Sequence, residues 1–98
     1  YKETSDLASV VGEFDVLSDT SIQQERFDSK EEFEKLRTYY IVDNTLMIKA
    51  KKDMIVLAPL PRFGELLEEF DSDPRAKYFE QMRNGVAVRM ALIKMMVD

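Results

Sequence analysis

Residues 54–62 read MIVLAPLPR. The first four residues form a continuous apolar run, which is typical of a β-strand covered on both faces of a parallel sheet. Because proline cannot donate a hydrogen bond to a neighbouring strand, Pro59 and Pro61 end this strand at about Ala58. Buried parallel strands also tend to place ligand-binding loops at their carboxyl ends. Two interpretations stay open: the prolines only terminate the strand, or they hold the backbone of Leu60 in one conformation so that it can bind a ligand.

Strand-like and helical patterns alternate along the rest of the chain. Ser29 and Glu32 form an S-x-x-E capping box, which begins a helix with Phe33 on its apolar face. Short strands are predicted at 14–17, 40–42 and 54–57. Helices are predicted over 5–11, 74–83 and 86–97, and residues 45–52 are left open between a short helix and a loop. This alternation predicts the α/β class, with a small parallel three-stranded Rossmann-like sheet and flanking helices.

The composition excludes several classes of function. With 98 residues the chain is expected to form one domain, 1–98, and the net charge of −5 comes with scattered basic residues, which argues against nucleic acid as a partner. The absence of Cys and His excludes disulfides, Cys/His metal sites and a catalytic imidazole. No acidic loop is spaced for Mg²⁺ or Ca²⁺, so neither a metal nor a cofactor is expected. The chain begins at Tyr1 rather than Met, which suggests a processed or partial product; the compartment stays open between the cytosol and an organelle, either a mitochondrion or a plastid.

Residues 86–97 form the most apolar segment of the chain. Ten of the twelve are apolar, with Arg89 and Lys94 as the charged exceptions. The segment is too short for the roughly 20 residues that span a bilayer, yet a helix that is apolar nearly all round must be buried on most sides. Asp73-Pro74 is expected to begin the preceding helix, and Asn84-Gly85 to interrupt it. Either 86–97 is the central helix of a compact domain, or it docks on a protein partner; the small core favours the partner, within a large multi-subunit complex.

Three blocks of the sequence resemble a known enzyme family. They are DVLSDTSIQQERF (15–27), VLAPLPRFGEL (56–66) and DSDPRAKYFEQMRNGVAVRMAL (71–92). In order and spacing they are similar to the C-terminal third of aspartate carbamoyltransferases, in the aspartate/ornithine carbamoyltransferase family. These enzymes condense carbamoyl phosphate with aspartate in pyrimidine synthesis, using two α/β domains and active sites between the subunits of a trimer. The resemblance implies an incomplete second, aspartate-binding domain, whose last helix packs on the first domain.

The resemblance also implies roles for individual residues. It assigns substrate binding to Gln23 and to a cis Leu60-Pro61 loop that presents backbone carbonyls. It assigns interdomain or structural roles to Glu25, Arg26, Arg62, Glu65 and Arg89. Glu25-Arg26 also fits a solvated surface pair, and Arg89 is expected to pair with a carboxylate such as Glu65. The charged residues of 30–37 are interpreted as a solvated helix face.

Two ligand positions depart from the family pattern. Ser21 stands where the family has an arginine that binds the aspartate carboxylate, and Ala58 stands where it has a histidine. A hydroxyl is a single neutral donor, whereas guanidinium is a planar charged fork. Ser18 and Gln24 also differ from the usual tyrosine and lysine, and the Ser-Thr-Arg-Thr phosphate loop of the first domain does not occur in this sequence.

These departures favour the hypothesis of a non-catalytic domain that serves as a structural or accessory subunit and not as an enzyme. The alternative is the aspartate-binding portion of a working enzyme whose first domain lies on another chain or outside this sequence; L-aspartate would then be a ligand. A third hypothesis is a small-molecule sensor that uses the remaining pocket for regulation.

Overall fold

Two parallel strands lie at the centre of the domain: β1 (Val16–Ser18) and β2 (Ile55–Leu57). The computed structural model describes residues 1–37 and 39–98. Val16 is opposite Ile55, and just beyond β1 the N–H of Asp19 donates to the carbonyl of Leu57 at 2.8 Å. Helices flank this pair, so the predicted α/β class with a small parallel sheet is confirmed.

The sheet that the described residues form has two strands rather than the three predicted. Of the predicted strand 40–42, only Val42 pairs, through a single parallel bridge to Leu66. The extended stretch ends there because Asp43 caps the next helix: its Oδ1 accepts the N–H of Leu46 at 2.7 Å. Because the next helix is capped immediately after Val42, the chain cannot continue the β-strand hydrogen bonds beyond that residue.

Four α-helices surround the strands in the part of the chain that the structure describes. They are α1 (Leu7–Val10), α2 (Lys30–Arg37), α3 (Asn44–Met47) and α4 (Tyr78–Val97), with short 3₁₀ turns at Val11–Glu13, Gln24–Arg26 and Glu68–Phe70. The capping box is present in its first half, since the Glu32 N–H donates to Ser29 Oγ at 3.1 Å. The ambiguous segment 45–52 lies partly in α3. The helix that the capping box predicts ends at Arg37, and Thr38 lies outside the described residues.

Helix α4 begins later and runs further than the sequence signals predict. Asp73-Pro74 forms a turn, because the Asp73 carboxylate pairs with the guanidinium of Arg75 (Oδ2 to Nη2, 2.7 Å) instead of capping a helix. The helix passes through Asn84-Gly85 without interruption. A mid-helix glycine costs only about 1 kcal/mol relative to alanine. A Cβ at Gly85 would lie 2.9 Å from Nη1 of Arg89, so the missing side chain leaves room for that guanidinium.

The hydrophobic core joins both strands to the start of α4. Its most deeply buried side chains are Val11, Met47, Met54, Val56, Leu66, Phe70 and Tyr78. Tyr78 is the only residue of α4 in this set, and every residue from 86 to 97 is exposed. The second half of α4 thus finds no cover among the described residues, and its docking on a partner stays a prediction. Within residues 1–37 and 39–98, no helix is both long enough and apolar enough to cross a membrane.

Candidate functional site

A cleft of about 610 Å³ opens at the carboxyl ends of β1 and β2. The segment after β1 contributes Ser21, Gln23 and Glu25 to its lining, and the proline loop after β2 contributes Pro59. The last turn of α2 contributes Arg37. Parallel strands place their following loops at one edge of the sheet, which is why these distant segments meet there.

The proline loop contains the cis Leu60-Pro61 peptide bond that the resemblance implied. Ala58 is buried, and its N–H donates to Oε1 of Gln81 at 3.0 Å, which ties the loop to α4. The Leu60 side chain packs against the core and Pro61 is exposed, so Pro59 rather than these two residues lines the cleft. The loop is therefore fixed by the core below it and by α4 beside it.

Glu65 is the buried carboxylate at the base of this loop, with 7% of its surface exposed. One carboxylate oxygen accepts the hydroxyl of Ser21, and the other accepts the N–H of Phe63 at 2.9 Å. Burial opposes ionisation of Glu65. However, the hydrogen bonds from Ser21 and Phe63, with the nearby guanidinium of Arg37, outweigh burial and hold its pKa below the usual value. Glu65 thus joins both loops of the cleft as an anion.

The predicted pairing of Glu65 with Arg89 is absent from the part of the chain that the structure describes. Arg89 lies on α4, beside a second cleft of about 650 Å³ that Ile55 and Leu57 also line. The pairing fails because Glu65 faces α2 and the segment after β1, whereas Arg89 lies in the exposed half of α4.

A second carboxylate, Asp19, lies close to Glu65 just beyond β1. Burial, and then the negative charge of Glu65, raise the pKa of Asp19 to about 6, although a hydrogen bond from the Thr20 backbone opposes the shift. No group of three or more acidic side chains within 1–37 and 39–98 is arranged to hold a metal ion.

Arg62 anchors the far end of the proline loop. Its Nη2 donates to Oδ2 of Asp71 at 2.8 Å, and the hydroxyl of Tyr78 donates to the same carboxylate. The Arg62 contact, which outweighs the burial of Asp71, lowers the pKa of that carboxyl, and the contact with Asp71 raises the pKa of Arg62. These contacts link the loop to the first turn of α4, and the structural role of Arg62 stays a prediction.

Glu25 and Arg26 lie in the exposed 3₁₀ turn after β1. Glu25 reaches the lining of the cleft, whereas Arg26 is not part of it. No ion pair between the two is found among the described residues. Their interdomain role stays a prediction.

Sequence reasoning missed Arg37 and Gln81. The charge pattern predicts a solvated face that includes Arg37, but Arg37 lies four residues after the buried Phe33, and residues at this spacing share one face of a helix. Gln81 lies three residues after the buried Tyr78, so it is on the same side of α4 as that residue. The spacing to a buried aromatic residue was the available signal.

Comparisons with known proteins agree on the family. Residues 1–96 match the family model described as "Aspartate/ornithine carbamoyltransferase, Asp/Orn binding domain". The aspartate carbamoyltransferase catalytic subunit of Bifidobacterium adolescentis is 53% identical over 92 residues, which are 94% of this chain and 29% of the relative. That of Thermofilum pendens is 47% identical over 97 residues, 99% of this chain and 31% of the relative.

Solved structures give the same result. A crystal structure of aspartate transcarbamoylase from Trypanosoma cruzi in complex with aspartate and phosphate is 42% identical with a TM-score of 0.75; the match covers 92% of this chain and 26% of that one. The phosphate complex of the same enzyme gives a TM-score of 0.78 at 40% identity, over 92% of this chain and 31% of that one. This chain thus spans less than a third of the relatives that it matches. It belongs to the aspartate/ornithine carbamoyltransferase family and corresponds to the aspartate-binding domain of the catalytic subunits.

Proposed function

We propose that this chain is the aspartate-binding portion of a working aspartate carbamoyltransferase. The reaction transfers the carbamoyl group of carbamoyl phosphate to the amino group of L-aspartate, giving N-carbamoyl-L-aspartate and phosphate. The observation that carries the proposal is the open cleft at the strand ends, lined by Ser21 and Gln23, in a domain 53% identical to a catalytic subunit. The relatives' named activity supports the same reaction.

The residues of this chain would bind and orient aspartate. The Gln23 side chain is exposed in the cleft and offers both amide donors and a carbonyl acceptor. The proline loop, fixed by Gln81 and by the Arg62–Asp71 pair, supplies a rigid wall with backbone groups of set direction. Fixing the amino group of aspartate near the carbamoyl carbon lowers the entropic part of the barrier.

Phosphate binding and polarisation of the carbamoyl carbonyl would come from outside this sequence. Both require fixed positive donors at the place where negative charge develops, and the sequence contains no Ser-Thr-Arg-Thr motif. The relatives are about three times as long as the matched region, which is 29% of the Bifidobacterium subunit. The remaining two thirds of such a protein, or another chain, would complete the site.

The hypothesis of a non-catalytic accessory subunit rested on the departures at Ser21 and Ala58. The comparisons do not support it, since the matched relatives are catalytic subunits. The departures also leave the cleft open: Ser21 hydrogen-bonds to Glu65, and Ala58 is buried with its N–H bound by Gln81. Neither residue obstructs the space that a substrate needs.

Activity of the complete protein that contains this domain tests the proposal. We expect carbamoyl-aspartate to form only when both carbamoyl phosphate and L-aspartate are present, and N-(phosphonacetyl)-L-aspartate to inhibit the reaction. Isothermal titration with the same analogue gives an independent measure of binding. A folded complete protein that forms no product and gives no heat with the analogue would refute the proposal and restore the accessory-subunit hypothesis.

A further inference from the structure

The proposed substrate of the cleft after β1 and β2 is acidic. The described residues that line this cleft, however, carry little positive charge. Ser21 is neutral, and its hydroxyl is already donated to Glu65. Gln23 is neutral as well, and Glu25 would repel a carboxylate. Among the described residues that line this cleft, Arg37 is the one cation.

The guanidinium of Arg37 lies beside the proline loop. Its Nη2 and Nε are 3.9 and 4.0 Å from the point where a Cβ on Gly64 would stand, so the guanidinium packs close to the backbone there. Gly64 has φ +108°, a conformation that residues with a side chain rarely adopt. The loop thus turns on a glycine at the place where the arginine approaches it.

The contacts of Arg37 leave it able to bind a ligand. Its Nε is 3.7 Å from Oε2 of Glu34, longer than a hydrogen bond, and the two side chains are 42% and 47% exposed. Exposed pairs of this kind are weak, so a substrate carboxylate can compete with Glu34. Glu65, buried and ionised below, attracts the guanidinium toward the base of the cleft.

We propose that Arg37 binds a carboxylate of the aspartate substrate, with Glu65 and Gly64 positioning its guanidinium. This inference rests on the proposed function and names the residue that supplies the positive charge. Guanidinium suits the task because its planar fork can make two parallel hydrogen bonds to one carboxylate. Ser21, across the same cleft, leaves space for this contact because its side chain is short and turned to Glu65.

Steady-state kinetics of the complete protein tests the inference. Arg37→Gln is expected to raise the KM for aspartate about 10- to 100-fold, the effect of losing a charge-assisted contact, while the KM for carbamoyl phosphate stays unchanged. Arg37→Lys keeps the charge but loses the fork, so a smaller rise is expected. Lys30→Gln removes a positive charge from the same helix outside the cleft lining, and it should behave as the wild type does.

Restoring the charge from another position separates substrate binding from a structural role. In the double variant Ser21→Arg with Arg37→Gln, a guanidinium enters the same cleft beside Glu65, and the KM for aspartate should return toward the wild-type value. A purely structural Arg37 would show a lowered melting temperature and a lower kcat that the added arginine does not rescue, which would overturn the inference.

Two further outcomes have distinct meanings. If the wild type forms carbamoyl-aspartate and Arg37→Gln has an unchanged KM for aspartate, the inference on Arg37 is wrong while the proposed function stands. If the folded wild type neither forms product nor binds N-(phosphonacetyl)-L-aspartate, the proposed function fails and the inference falls with it.

Discussion

Replacing Glu65 by glutamine should loosen the proline loop. The carboxylate accepts two hydrogen bonds, from the hydroxyl of Ser21 and from the N–H of Phe63 at 2.9 Å. Glutamine carries no charge and has one acceptor oxygen in place of two, so the two charge-assisted hydrogen bonds cannot both be kept, and the bond from Phe63 loses its charged acceptor. Losing a hydrogen bond to a charged group costs about 1.5–3 kcal/mol, and Glu65 is only 7% exposed, so solvent replaces little of it.

Hydrogen exchange of the Phe63 amide measures this loss directly. A cost of about 1.5–3 kcal/mol corresponds to exchange roughly 10- to 100-fold faster where local opening is in rapid equilibrium. Mass spectrometry of a peptide over 59–66 from the complete protein reports it. Glu68→Gln is the control, because the Glu68 side chain is 89% exposed and lies 4.0 Å from Arg62. Unchanged protection of Phe63 in Glu65→Gln would refute the assignment of Glu65 as the link between the two loops.

The dependence on pH gives a second check on the same variant. The pKa of Glu65 is lowered in the folded state, so its ionised form contributes stability above the unfolded-state pKa. That contribution is lost as pH falls through the lowered folded value. The difference between wild type and Glu65→Gln should therefore be largest near neutral pH and should shrink in acid.

Three other perturbations have defined outcomes. The pKa of Asp19 is raised from 3.8 to about 6, so ionisation of Asp19 destabilises the folded state as pH rises from about 4 to about 6. Asp19→Asn should therefore raise the melting temperature above pH 6 and change it little below pH 4. An equal rise at both pH values would contradict this. Tyr78→Phe removes the hydroxyl that donates to Asp71 and should destabilise the protein by about 1–2 kcal/mol in denaturant unfolding; an unchanged midpoint would be evidence against that hydrogen bond. Met95 and Met96 are 78% and 85% exposed here; replacing both by glutamine should lower the melting temperature of the complete protein if another domain or chain covers α4, and no change would place this face in solvent.

Strong local patterns in the sequence correctly predicted strand β2 and the start of helix α2. The run at 54–57 contains β2, and Ser29 caps α2 as its spacing to Glu32 indicated. The cis Leu60-Pro61 bond followed from the family resemblance and not from the residues alone. The strand and the helix cap depend on backbone preferences and on bonds between near neighbours, which a single sequence records.

Tertiary contacts decided the features that the sequence analysis predicted wrongly. Asp73-Pro74 carries a helix-start pattern, but Arg75 pairs with Asp73 and also donates to the carbonyls of Met47 and Lys51, at 2.8 and 3.3 Å. Those carbonyls lie more than twenty positions earlier in the chain, so no local pattern shows them. The Asn84-Gly85 prediction was wrong for a local reason, because the hydrogen bonding of α4 continues through both residues.

The structure brings only some of the predicted site residues to the candidate cleft. Gln23 and Ser21 line it, whereas Leu60 and Pro61 do not, and their roles in binding stay predictions. Arg37 was missed because a charged residue at a helix end is usually solvated, and its position depends on how the proline loop approaches α2. The loop residues near the Arg37 guanidinium, Gly64 and Glu65, are far from it in sequence.

The most direct measurement is a crystal structure of the complete protein with N-(phosphonacetyl)-L-aspartate bound. We expect the aspartyl part of the analogue between Gln23 and the cis Leu60-Pro61 loop, with a carboxylate within hydrogen-bond distance of the Arg37 guanidinium. An analogue bound away from this cleft, or a cleft left empty at saturating concentration, would contradict the assignment of aspartate binding to this domain.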